Sequence, residues 1–126
     1  MRDIEFRAKC QDNKKWVYGD LVHNTLTMSI CKPSPAQAGA RRFYKINPKT
    51  IGQYIGLNDN CEQKVFEGDI MQDPFDPDEV FVVDFIDGEF VLLNDVNVIV
   101  DIEQVYFLNI VGNIHDNKEF YKSEDN

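Results

Sequence analysis

Apolar and polar residues alternate with a period of two in short stretches along this chain, the spacing of half-buried strands rather than helices. Ile4, Phe6 and Ala8 alternate with Glu5 and Arg7, a polar turn covers residues 11–14, and residues 16–22 read as the returning strand. Residues 25–30 form a third, weaker strand. From Cys31 to Ala40 the sequence holds two prolines and small residues, which predicts a loop ending at Arg41 and Arg42. An extended pattern resumes over residues 43–46. Asn47 before Pro48 is helix-start chemistry, a capping side chain followed by a residue without an N–H. One helical turn there leads into a strand over residues 52–57. Ile51, Gln53, Ile55 and Leu57 share one of its faces, and Thr50, Gly52, Tyr54 and Gly56 share the other. The glycines around Tyr54 predict close approach by another backbone or ring.

After Phe66 the strands shorten. Residues 68–72 form a strand entered through a tight turn, and residues 73–78 form an acidic loop. Residues 80–86 and 89–93 pair through Asp87-Gly88, a strong hairpin signal. A short strand over 97–100, a capped helical turn over 101–104 and a closing strand over 107–114 follow. A brief helix is expected over 116–121, then a polar tail. The fold class is mainly β with minor helical turns. Five short strands in the second half fit an SH3-like barrel, an OB-fold or an open sheet.

A length of 126 residues with 43% hydrophobic and 12% aromatic content suits one folded domain, or one domain with two lobes. No apolar run reaches membrane-spanning length, and Met1-Arg2-Asp3 lacks a signal peptide's apolar region, so a cytoplasmic protein is expected. Cys10, Cys31 and Cys61 have no metal-ligand spacing and read as structural or incidental thiols. Charge changes the picture more. The net charge of −9 divides into +5 over residues 1–64 and −14 over residues 65–126, with no Lys or Arg between Val65 and Asn117. That balance disfavours tight sequence-independent DNA binding, which depends on neutralising phosphates. It favours contact between a basic and an acidic lobe, within or between copies, or a solvated acidic face.

Six ordered blocks then stand out: Phe6-Arg7-Ala8, Trp16-Val17-Tyr18-Gly19-Asp20-Leu21, Asn47-Pro48-Lys49-Thr50, Thr50-Ile51-Gly52-Gln53-Tyr54-Ile55-Gly56-Leu57 with Glu67-Gly68-Asp69-Ile70, Asp87-Gly88-Glu89-Phe90, and Val111-Gly112-Asn113-Ile114-His115. In this order they closely resemble the YopX family of phage and prophage proteins, which carries no established biochemical activity. Cys61-Glu62 departs from the Asn-Gly turn common in the family, so positive φ at both residues is not expected there. The resemblance implies a single YopX-like domain over 1–126, with a basic β lobe over 1–58 and an acidic SH3-like barrel lobe with a C-terminal tail over 59–126. It also implies structural roles for Trp16, Gly19, Thr50, Gly52, Gln53, Tyr54, Gly56, Glu67, Gly68, Asp69, Gly88, Gly112 and Asn113.

Reactive chemistry is sparse. Glu67 and Asp69 are paired carboxylates able in principle to act as acid and base, but they flank Gly68 at a turn, where Asp commonly bonds its own backbone. Asp73, Asp76, Asp78 and Glu79 lack the alternating calcium-loop spacing and its central glycine. His23 and His115 have no partner at motif spacing. No catalytic, cofactor-binding or metal-ligating residue is assigned, and the protein is expected not to be an enzyme. Phe6, Trp16, Tyr18, Phe43, Tyr44 and Tyr54 lie among Arg7, Arg41, Arg42 and Lys45, a composition found both in small cores and in single-strand nucleic-acid grooves. The leading expectation is a self-associating protein-interaction module, with Arg41 and Arg42 meeting acidic residues of another copy, either Asp73, Asp76 and Asp78 of the 73–79 loop or those of the later β lobe. Weak nucleic-acid binding by the basic lobe is the alternative, as is an acidic decoy of a host DNA-binding protein. No membrane partner is expected.

Overall fold

A computed structural model describes residues 3–117. Within them the chain is mainly β, with antiparallel ladders and two short 3-10 helices. The strands are β1 (Phe6–Lys9), β2 (Trp16–His23), β3 (Met28–Pro33), β4 (Arg41–Lys45), β5 (Gly52–Asn58), β6 (Lys64–Phe66), β7 (Asp69–Asp73), β8 (Asp76–Ile86), β9 (Glu89–Leu93), β10 (Ile99–Val100) and β11 (Asn109–Asn113). The chain divides into two compact units inside β5, between Tyr54 and Ile55, ahead of the boundary expected after Asn58.

In the first unit the strands hydrogen-bond in the order β4-β3-β2-β1-β5. The alternation read from the sequence selects one face as core. Ala8, Val17, Ile30 and Ile46 are buried there, flanked by Phe6, Leu21, Met28, Tyr44 and Ile51. The expected loop over 31–40 is corrected: Cys31, Lys32 and Pro33 continue β3 and pair with Phe43, Arg42 and Arg41. Proline fits because β3 pairs with β2 only as far as Cys31, so the missing N–H of Pro33 breaks no bond of the β2–β3 ladder. The true loop is the short return that Ser34 N–H closes onto the Ala40 carbonyl at 2.9 Å. Asn47 behaves as its chemistry predicts, accepting Lys49 N–H at 3.0 Å at the start of the 3-10 helix Pro48–Thr50.

In the second unit the remainder of β5 neighbours β6, and a five-stranded sheet runs β10-β9-β8-β7-β11. The last strand returns to the first after a 3-10 helix (Ile102–Phe107), which is the SH3-like arrangement. Val65, Met71, Val83, Leu92, Val105 and Leu108 form its buried core. Asp101 caps the helix, accepting Glu103 N–H at 3.0 Å. Asp87 and Gly88 both take positive φ, the backbone that a two-residue hairpin turn requires. The expected acidic loop over 73–78 is corrected. Asp73 pairs directly with Asp76, so the connection is the two-residue turn Pro74-Phe75, and Asp76 to Asp78 already belong to β8. Three aspartates near a hairpin tip read as a loop by composition, yet Asp73 ends β7 and the exposed Asp76 and Asp78 begin β8. Of the expected terminal helix, Asp116 lies in a turn and residues 118–121 fall outside the described residues.

Candidate interaction surfaces

The family-motif residues serve the fold at separate places and do not converge on one site. Gly19 faces Cys31 so closely that a Cβ would run into the Cys31 carbonyl oxygen, which fixes glycine there. Thr50 ties the 3-10 helix to β1: its hydroxyl accepts Lys9 N–H at 2.9 Å and donates to the Asn47 carbonyl at 2.7 Å. Gly52 pairs with Arg7 and half-buried Gln53 with Phe6, while Tyr54 N–H donates to the Glu5 carbonyl at 2.8 Å. Close approach is not the reason for Gly56. Nothing lies within 4 Å of its Cβ position, but its φ of +89° is one that residues with a side chain rarely adopt.

In the second unit Glu67 and Gly68 form the turn before β7, and Asp69 is buried with a carboxylate oxygen accepting Phe66 N–H at 2.8 Å. Gly88 completes the β8–β9 turn. Gly112 abuts the Asn117 side chain, and Asn113 ends β11 by accepting the N–H groups of His115 and Asp116 at 2.9 and 3.0 Å. Among the described residues, no group of three His, Cys, Asp or Glu side chains is placed to hold a metal ion. Asp73 and Asp76 each accept a nearby backbone N–H, from Phe75 at 2.8 Å and Asp78 at 3.2 Å.

One carboxylate escaped sequence reasoning. Asp59 is buried and accepts three backbone N–H groups: Cys61 at 2.8 Å, Gln63 at 2.9 Å and Ile110 at 3.1 Å. It folds the turn after β5 and fastens it to β11. The local signal was the Asx-type spacing of Asp59 to Cys61. Nothing in the sequence marks the bond to Ile110.

Register sorts the aromatic residues of the first unit. Phe6 and Tyr44 pack against the core. Lys9 pairs with Trp16 and Arg7 with Tyr18, so these four share the opposite face. Arg7 lies 4.7 Å and Lys9 5.7 Å from the Trp16 ring centroid, a cation–π stack. Asp20, Cys31 and Phe43 continue that face across β2, β3 and β4. Arg41 is committed within the chain. Its Nη2 donates to Asp20 at 2.8 Å and its Nε to the Cys31 sulfur at 2.9 Å. The hydrogen bond to the Cys31 sulfur, and then Asp20, hold its pKa above the ordinary arginine value, so it stays a cation. Arg42 is exposed. The three cysteines are free thiols. A shallow cavity of about 210 Å³ at the β2–β3 turn is lined by His23, Thr25, Leu26 and Lys45 among others.

The second unit exposes much apolar surface. Phe75 is 95% exposed at the β7–β8 turn, and Val96, Val98, Ile99, Tyr106 and Phe107 are also open to solvent. Phe85, half exposed, meets Phe90 edge to face with centroids 4.9 Å apart. The sequence signal for the β10 edge was the uncharged run Val96-Asn97-Val98-Ile99-Val100, β-branched at every position but Asn97.

The crystal structure of protein EF1440 from Enterococcus faecalis is similar over 97% of this chain and 100% of that one, with a TM-score of 0.64 at 20% sequence identity. At that identity the likeness establishes a shared fold. No curated protein matches the chain. A family model described as YopX protein matches residues 5–122, nearly the whole sequence, and the chain belongs to the YopX family.

Proposed function

We propose that this protein is a phage- or prophage-encoded, non-catalytic interaction module that self-associates in the host cytoplasm. The observation that carries the reading is the apolar surface of the acidic unit. Seven large apolar residues there, Phe75, Phe85, Val96, Val98, Ile99, Tyr106 and Phe107, are exposed. Single exposed apolar residues are ordinary, but five of these seven, Val96, Val98, Ile99, Tyr106 and Phe107, fall within one short stretch of chain, and apolar concentration on a charged surface favours protein contact. The opposite charges of the two halves supply a surface of opposite sign in a second copy. Sedimentation velocity across protein concentration tests this. A mass that rises with concentration is expected, and a monomer at every concentration would overturn it.

A second reading rests on the register of the first unit. Trp16, Tyr18 and Phe43 stand on one sheet face with Lys9 and Arg41, a stacking platform with cations suited to single-stranded nucleic acid. The net charge of −9 opposes it. Binding of a fluorescent oligothymidine that weakens steeply with salt and disappears in Tyr18→Ala/Phe43→Ala would support this reading. No binding at low salt would remove it.

A further inference from the structure

We propose that copies join head to tail by strand addition, with the open edge of β4 in one copy lying antiparallel against the open edge of β10 in the next. This rests on the self-association reading and gives it an interface.

Among the described residues, both strands are the outermost of their sheets. Hydrogen-bonding parity fixes which backbone groups point outward. Ser34 N–H bonds the Ala40 carbonyl and Ile46 N–H bonds the Met28 carbonyl, so the even-numbered residues of β4 face β3. The N–H and C=O groups of Arg41 and Phe43 therefore face away from it. Farther along, the Lys45 carbonyl accepts Gln11 N–H at 2.8 Å, so the free edge ends at Phe43. In the acidic unit Asn94 N–H bonds the Val98 carbonyl, which makes Leu93 and Ile99 a non-hydrogen-bonded pair. The N–H and C=O groups of Ile99 thus point away from β9. The edge ends at Asp101, the cap of the 3-10 helix.

The two free edges are short, similar in length and opposite in charge. An antiparallel register with Phe43 opposite Ile99 brings two exposed apolar side chains together, 63% and 58% open in the single chain. It also sets Arg41 opposite Asp101. Arg42 and Lys45 flank one edge, and Asp95 and Glu103 flank the other. Charge selects this pairing over its rivals, because β4 against β4 would oppose cations and β10 against β10 would oppose carboxylates. Exposed strand edges are templates for such addition. The contact is heterologous, joining different patches on the two copies.

Proline substitution tests the edge selectively. The N–H groups of Phe43 and Ile99 face outward, so Phe43→Pro and Ile99→Pro remove donors that the intrachain ladders do not use. Each is expected to raise the self-association Kd at least about tenfold in sedimentation equilibrium, with an unchanged far-UV circular dichroism spectrum. A cross-link makes the test independent of how proline is tolerated. In a Cys61→Ser background, Phe43→Cys mixed with Ile99→Cys should give a disulfide-linked heterodimer on mild oxidation, faster than either variant alone. A wild type that assembles while both proline variants keep its Kd, or that shows no preferential cross-link, overturns this interface and leaves self-association standing. A wild type that never assembles overturns both.

Discussion

The five-stranded sheet of the acidic unit has two outer strands, and the chain treats them in opposite ways. Beyond β11 lies the turn organised by Asp59. Its carboxylate bonds Ile110 N–H, and Asn60 N–H bonds the Leu108 carbonyl at 2.9 Å. At the other side β10 is two residues long, exposes Ile99 and is followed at once by the 3-10 helix. One edge is closed by the protein's own polar groups, and the other is left apolar and open. The basic unit combines both treatments in a single strand. The β4 end near Lys45 is closed by Gln11 and by the Cys10–Ile46 bridge, whereas Arg41 to Phe43 stay open. Closed edges hold the fold, and open edges are where another chain can add without disturbing it.

The largest effect is expected at the closed edge. Asp59→Ala removes the acceptor of three backbone N–H groups around a buried carboxylate, and a hydrogen bond to a charged group contributes roughly 1.5–3 kcal/mol. The three bonds share one side chain and are not additive, so a loss of about 3 kcal/mol is expected in urea unfolding, or on the order of 10 °C in Tm. Asp73→Ala is the matched control. Its carboxylate accepts one N–H at an exposed turn, and the cost should stay below about 1 kcal/mol. Equal losses in the two variants would mean that Asp59 does not close the edge.

Next in size is Gly56, in the strand that leads to the Asp59 turn. Its positive φ in open space separates backbone strain from crowding. Gly56→Ala should cost about 1–2 kcal/mol and Gly56→Val somewhat more, through the backbone alone. Gly56→Asn should cost less than either, because asparagine tolerates the left-handed region. Thermal unfolding of the three variants checks the ranking. A harmless Gly56→Val would show that β5 adjusts there, and that the route into the closed edge is not fixed by this residue.

The elements legible in the sequence are those whose instructions are local. Alternation marked β1, β2 and β5, Asn47-Pro48 marked a helix start, and Asp87-Gly88 marked a hairpin, because each needs only neighbouring residues. The ordered motif blocks were legible as well, and they carried the family. What escaped depended on distant partners or on register. Pro33 reads as a strand breaker unless β2 is known to stop pairing at Cys31. The bond from Asp59 to Ile110 spans 51 residues and leaves no periodicity. The bond from Arg41 to Asp20 spans 21 residues, and charge composition alone does not mark it. The sequence does not separate crowding from a dihedral constraint at Gly56, where the structure shows the latter. The aromatic residues of the basic half divided between core and open face only when cross-strand register was fixed.

The smallest effect belongs to the open edge, where the fold should barely notice a change. Ile99 is 58% exposed, and its side chain is absent from the core around Leu92 and Val105. Ile99→Lys therefore removes little buried apolar area. It sets a cation between Asp95 and Asp101 in a region without Lys or Arg, and lysine on an edge strand discourages pairing with another chain. Exposed replacements of this kind usually stay within about 0.5 kcal/mol. The unfolding free energy, measured at a concentration where copies are separate, should be unchanged or slightly higher, while self-association weakens. A fall of more than about 1.5 kcal/mol, as expected for loss of a packed side chain, would mean that Ile99 is part of the fold. The edge of β10 would then be closed like that of β11, and the contrast between the two outer strands would be lost.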